Sequence, residues 1–170
     1  GDYFCFLDDD AWFADSDIIT KLIEKFTSGS QDLAAVMPNI FEITGSENYL
    51  RYPYSRYTRL LTFNGGAVVI RKTAFINYGP FPDSEYGAEE KSISLRFYQG
   101  DQKIMILPNV VVNHKPSIVR NFKKLSFLSA RNDIIWTLTY SPISLIGLVL
   151  IWKIIVWVRH SIIKKAGLLY

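Results

Sequence analysis

The chain has 170 residues, 49% of them apolar, 21% charged and 15% aromatic, with a net charge of +3. That length allows one domain, or one plus an appendage, and the composition excludes a disordered chain. Ten Gly and a single Cys exclude collagen-like and disulfide-framework classes.

The charge is split along the chain. Residues 1–100 carry nine Lys/Arg against fourteen Asp/Glu, a net of −5, and residues 101–170 carry ten Lys/Arg against Asp101 and Asp133, a net of +8. An acidic cluster suits a metal. A basic, apolar tail suits an anionic membrane surface, and argues against nucleic acid because its basic residues sit between apolar runs rather than in a polar stripe. Gly1 is not a start residue and leads straight into an apolar run. The chain reads as a fragment of something longer.

Tyr3-Phe4-Cys5-Phe6-Leu7 predicts a strand buried on both faces, as in a parallel sheet, stopping at Asp8-Asp9-Asp10. Asp15 or Ser16 caps a predicted helix over 17–28, with Ile18, Leu22, Ile23 and Phe26 on one face and Gly29 beyond its end. Leu33 to Met37 predicts a second buried strand closed by Pro38. Residues 44–59 lack periodicity and predict a long loop. Thr62 to Ile70 predicts a strand broken by Gly65-Gly66, and Lys72 to Tyr78 a short helix ended by Gly79-Pro80. A loop over 81–88 precedes a helix from Glu89 to Tyr98. Lys103–Leu107 and Val110–Asn113 predict strands separated by Pro108-Asn109. Strands alternating with helices imply an α/β domain with a mostly parallel sheet.

The tail differs in character. Ile134 to Trp152 is nineteen residues without a charge, close to the twenty or so that span a bilayer. Trp136, Trp152 and Trp157, with Arg159, Lys164 and Lys165, form an interface-like belt with a basic flank. The alternatives are a spanning helix, an interfacial helix and a core helix with a helical partner.

Several residues carry possible chemistry. Asp8 and Asp10 can point the same way from a strand end, giving two hard oxygen ligands for Mg²⁺ or Mn²⁺, or they form a solvated turn. His114 ends the last predicted strand, either as a structural residue or on the same edge as Asp10. Glu89-Glu90 opens a helix, favoured there by the dipole or serving as a general base. Gly65-Gly66 admits a close ligand or makes a bulge. No Gly-x-Ser-x-Gly, paired Cys or His-Glu-x-x-His occurs.

Taken in order, four motifs resemble the family 2 glycosyltransferases with the GT-A fold. They are Leu7-Asp8-Asp9-Asp10-Ala11; Asn64-Gly65-Gly66-Ala67-Val68-Val69-Ile70-Arg71-Lys72; Gly79-Pro80-Phe81-Pro82 with Tyr86-Gly87-Ala88-Glu89-Glu90 and Ser94-Leu95-Arg96; and Pro108-Asn109-Val110-Val111-Val112-Asn113-His114. The match covers residues 1 to about 117, with 118–170 as a basic, apolar helical tail. The resemblance implies a partial GT-A, Rossmann-like domain without its N-terminal nucleotide-binding half, inactive alone. It implies metal ligands Asp8, Asp10 and His114; Asp8, Asp9, Gly65 and Gly66 on the nucleotide-sugar side; and Glu90 as base, positioned by Glu89. Ser92 stands where the family often has a further acid. The implied reaction is metal-dependent, inverting transfer of a hexosyl or rhamnosyl group from a nucleotide-diphosphate sugar to a glycan or glycolipid hydroxyl. The implied location is the cytoplasmic face of a membrane, in polysaccharide or glycolipid assembly. A metal-dependent nucleotidyltransferase and a non-catalytic membrane-bound interaction module are the competing classes.

Overall fold

The computed structural model describes residues 1–44, 47–83, 87–117 and 122–165. Tyr86 of the third motif lies outside the described residues. The chain divides into two compact units, Gly1–Asp83 with Glu89–Asn121, and Ser84–Ala88 with Phe122–Tyr170.

The first unit holds a seven-stranded sheet: β1 (Tyr3–Leu7), β2 (Ala11–Phe13), β3 (Leu33–Ile43), β4 (Asn48–Leu50), β5 (Thr58–Leu60), β6 (Ala67–Arg71) and β7 (Lys103–His114). The order is β1-β6-β3-β7-β2, with β4 on β3 and β5 on β7. The expected mostly parallel sheet is corrected. Among the described pairings only β3 and β7 run parallel, and the other five are antiparallel. Only β4 returns on its partner β3 through a short connection that needs no crossover helix, while β1, β2, β5 and β6 meet their antiparallel partners from distant parts of the chain.

Three helices pack on the sheet: α1 (Ile18–Ser28), α2 (Lys72–Tyr78) and α3 (Glu89–Gln99). Alternation along the central strands sends side chains to two cores. Val68, Ile70, Ile104 and Ile106 meet Ala74 of α2 and Ile93 and Phe97 of α3. Val36, Val69, Leu107 and Val110 meet Ile18, Leu22 and Phe26 of α1. The sheet is thus a middle layer between α1 and the α2–α3 pair.

Four further expectations are corrected. β1 is a sheet-edge strand with Cys5 and Leu7 exposed, not a strand buried on both faces. The cap position of α1 is Asp17, whose carboxylate pairs with Lys21 at 2.8 Å instead of capping. Strand β3 runs through Pro38 to Ile43, and β7 runs through Pro108. The β3–β7 register jumps from Pro38↔Leu107 to Asn39↔Val111, so both prolines fall at a break in the ladder, where a missing N–H costs no bond. Finally, the 44–59 stretch contains β4 and β5. Asn39 holds it against β3: its amide donates to the Tyr52 carbonyl at 2.9 Å and its side-chain oxygen accepts from the Tyr52 N–H at 3.2 Å.

The second unit contains α4 (Phe122–Tyr140) and α5 (Ile146–Lys165). Pro142, with no N–H and a ring that disfavours helix before it, ends α4 and divides the uncharged run between the two helices. Lys153 of α5 pairs with Asp133 of α4 at 3.2 Å. Among the described residues no helix is long and apolar enough to cross a membrane. Many apolar side chains here face outward, with Ile143 at 91% and Trp152 at 66% exposure.

Candidate functional site

The antiparallel β1–β6 ladder ends at Leu7↔Ala67, and the next amide, that of Asp8, donates to the Gly66 carbonyl at 3.0 Å. Asp8 is therefore set at the entrance to β6. The Ala11 N–H donates to the Asp8 carbonyl at 3.1 Å, closing a four-residue turn that returns the chain as β2. Strand β2 pairs with β7 in the register Ala11↔His114, and the Lys115 N–H donates to the Asp10 carbonyl at 3.0 Å. The turn thus bridges the entrance to β6 and the end of β7.

The result is a group of three. Asp8, Asp10 and His114 each offer one ligand atom, all within 4.8 Å of one another. Atoms sharing one divalent ion lie about 4–5 Å apart at most, so the spacing is compatible with a shared ion. Two carboxylate oxygens and one imidazole nitrogen suit Mn²⁺ or Mg²⁺. His114 Nε2 is 3.1 Å from Asp10 Oδ1, while Asp10 Oδ2 accepts from the Ser117 N–H at 3.3 Å. Asp9, at the exposed crest of the turn, is outside the group.

Gly65 and Gly66 connect this group to the acidic pair on α3. A Cβ on Gly66 would sit 2.5 Å from Asp8 Oδ2, and one on Gly65 would sit 2.7 Å from Glu90 Oε1. The Gly65 N–H donates to Glu90 Oε1 at 3.1 Å. Two adjacent residues without side chains therefore make room for one carboxylate each. The helix carrying Glu90 is fixed further along: Ser94 Oγ lies 3.2 Å from Thr62 Oγ1, and the Arg96 guanidinium donates to the Pro80 carbonyl at 2.6 Å. Ser92 is buried. Glu89, half-buried in the first turn of α3, is outside the Asp8–Asp10–His114 group.

Glu42 escaped the sequence reading. It is 2% exposed, lies opposite His114 in the β3–β7 register, and its Oε2 is 2.7 Å from His114 Nδ1. An ionised carboxylate only accepts, which assigns the Nδ1 proton to His114 and leaves Nε2 turned toward Asp10. Glu42 Oε1 is ion-paired with Arg51. The available signal was an acid inside the apolar run Ile40-Phe41-Glu42-Ile43, hidden by ending the strand at Pro38.

No family model matches the chain, and no curated protein does. Among solved structures, the chain is similar to GalNAc-T7 crystallised with UDP, GalNAc and Mn²⁺, with a TM-score of 0.57 and 17% identity. The similarity covers 70% of this chain and 28% of that one, so the chain spans under a third of its neighbour's length. At that identity the likeness concerns the fold, which is GT-A-like. A197 from STIV is also similar, at 18% identity over 68% of this chain and 59% of that one, with a TM-score of 0.45.

Proposed function

We propose that the chain carries the metal end and the acceptor side of a nucleotide-sugar-dependent glycosyltransferase of the family 2 type. The observation that carries this reading is the convergence of Asp8, Asp10 and His114, with Glu90 held beside them through Gly65-Gly66, on a fold shared with a protein crystallised with UDP, GalNAc and Mn²⁺.

In this reading Asp8, Asp10 and His114 hold Mn²⁺ or Mg²⁺, and Asp8, Asp9, Gly65 and Gly66 line the nucleotide-sugar side. The bound ion supplies charge neutralisation at the departing diphosphate. Glu90 is the base. With Oε1 anchored on the Gly65 N–H, its other oxygen is left to take the proton of an acceptor hydroxyl. The acceptor oxygen bonds the anomeric carbon as the bond to the diphosphate oxygen breaks, and the configuration inverts. Glu89 positions Glu90. A base so placed contributes about 10²–10⁴-fold.

The tail belongs to the same proposal. Outward-facing Leu148, Ile151, Trp152, Ile155 and Val158 on a helix whose C-terminal part carries Arg159, Lys164 and Lys165 suit an anionic bilayer surface. This favours the cytoplasmic membrane face and a glycan or glycolipid acceptor.

The test is incubation of the full-length protein with UDP- or TDP-sugars and Mn²⁺. Release of free nucleoside diphosphate supports transfer, whereas release of sugar 1-phosphate points to a nucleotidyltransferase. Glu90→Gln is expected to lower turnover at least 100-fold while UDP–Mn²⁺ binding stays within twofold of wild type. Equal loss of both would make Glu90 structural and remove it as the base.

A further inference from the structure

Glu42 is a fully buried acid that the proposed chemistry does not use. It sits on the central strand of the sheet, 72 residues from His114 in sequence, and meets the imidazole on the side away from Asp10. Burying a carboxylate is costly unless it is paired and hydrogen-bonded. Here Oε2 is bonded to His114 Nδ1, and Oε1 is ion-paired with Arg51 without a hydrogen bond.

The backbone explains how this pair forms. The register jump at Pro38/Asn39 against Leu107/Val111 lets three extra residues of β7 pass before pairing resumes, and resumed pairing brings Glu42 opposite His114. Arg51 arrives from the other direction. The β3–β4 pairing sets Glu42 opposite Tyr49, and the Arg51 N–H donates to the Ile40 carbonyl at 2.8 Å. A chain of groups therefore runs Arg51, Glu42, His114, Asp10, from the half-exposed Arg51 side chain to the candidate metal group.

We infer that Glu42 is a positioning residue for a divalent-cation site: it fixes the proton on His114 Nδ1 and the plane of the ring, so that Nε2 is presented with Asp8 and Asp10, and Arg51 anchors it in turn. A histidine that ligates a metal through one nitrogen commonly donates the other N–H to a carboxylate, which sets the tautomer and raises the ring's basicity. Glu42 acts through His114 and touches no substrate. The inference rests on the metal reading of Asp8, Asp10 and His114.

The experiment is Mn²⁺ titration of the full-length protein by calorimetry, with ¹⁵N NMR of the His114 ring. Wild type is expected to bind Mn²⁺ and to hold a proton on His114 Nδ1. Glu42→Leu is expected to bind Mn²⁺ about 10–100-fold more weakly and to lose the fixed Nδ1 proton. Glu42→Gln keeps an oxygen opposite Nδ1, so its loss is expected to fall between the two. A folded Glu42→Leu protein with wild-type Mn²⁺ affinity overturns the inference. If Glu42→Leu does not fold, Glu42→Gln decides, since it keeps the side chain's size and an oxygen opposite Nδ1. Several-fold weaker binding supports the inference and unchanged binding overturns it. A wild type that binds no Mn²⁺ removes the metal reading itself, a failure distinct from the loss of Glu42's role alone.

Discussion

The Gly65-Gly66 pair offers a way to separate the two halves of the site. In Gly66→Ala the new Cβ would lie 2.5 Å from Asp8 Oδ2, 3.1 Å from Asp8 Cγ and 2.9 Å from Asn64 Oδ1, where ordinary contact begins at 3.4 Å. The Asp8 carboxylate has to retreat by about 1 Å. Metal sites tolerate about 0.2 Å in ligand distance, so a retreat of that size removes Asp8 from the group. Mn²⁺ affinity is expected to fall at least 10-fold, which is about 1.4 kcal/mol. The fold should tolerate the change, because Asp8 is exposed and its carboxylate is free to swing outward. A cost of about 1 kcal/mol, or roughly 2–4 °C in Tm, is expected, at the low end for overpacking. Gly65→Ala is the control one residue away. Its Cβ would press on Glu90 Oε1 at 2.7 Å and on Glu90 Cγ at 3.3 Å, displacing the base and leaving Asp8 alone. Turnover should fall while Mn²⁺ affinity stays within twofold. Calorimetric Mn²⁺ titration and thermal unfolding of both variants decide the matter. Wild-type Mn²⁺ affinity in Gly66→Ala would refute the reasoning, as would a loss confined to Gly65→Ala.

Phe97 is fully buried between α3 and the sheet, so Phe97→Ala should cost about 3–5 kcal/mol; a loss below about 1 kcal/mol in chemical denaturation would mean that α3 is not packed as described. The second unit should sediment with vesicles containing anionic lipid, less so at high salt, and Ile151→Glu with Trp152→Glu should abolish this. Wild type remaining in the supernatant at low salt would refute a membrane role for the tail.

The three helices of the first unit were legible because each had a stop, and α1 a periodic face as well. Ile18, Leu22 and Phe26 recur on one side and Gly29 follows; α2 and α3 likewise end next to Gly79 and Gly100. Strand direction was not legible. Val68-Val69-Ile70 reads the same whether its neighbour runs up or down, because a strand buried on both faces carries no mark of its partner. The same limit hid β2, whose three residues are too few to alternate visibly. Pro38 and Pro108 misled for a single reason. Each reads as a stop in the sequence, whereas they lie at matching positions where the β3–β7 ladder slips. Asp8, Asp10 and His114 were legible because strand ends are where polar groups can gather. Glu42 was not, because only pairing to β7 reveals what its carboxylate faces.

The candidate metal group also bears on folding. Asp8 and Asp10 lie between the first two strands and His114 ends the last strand of the sheet, with the Asp10–Ser117 contact alone bridging 107 residues. The unfolded chain holds no such arrangement, so a cation captured there binds the assembled sheet and not the coil. At 100 times its dissociation constant it would add about 2.7 kcal/mol to stability. The ion would then act as a clasp on the longest loop of the sheet, and a chelator would lower the melting temperature of a protein whose core it never touches.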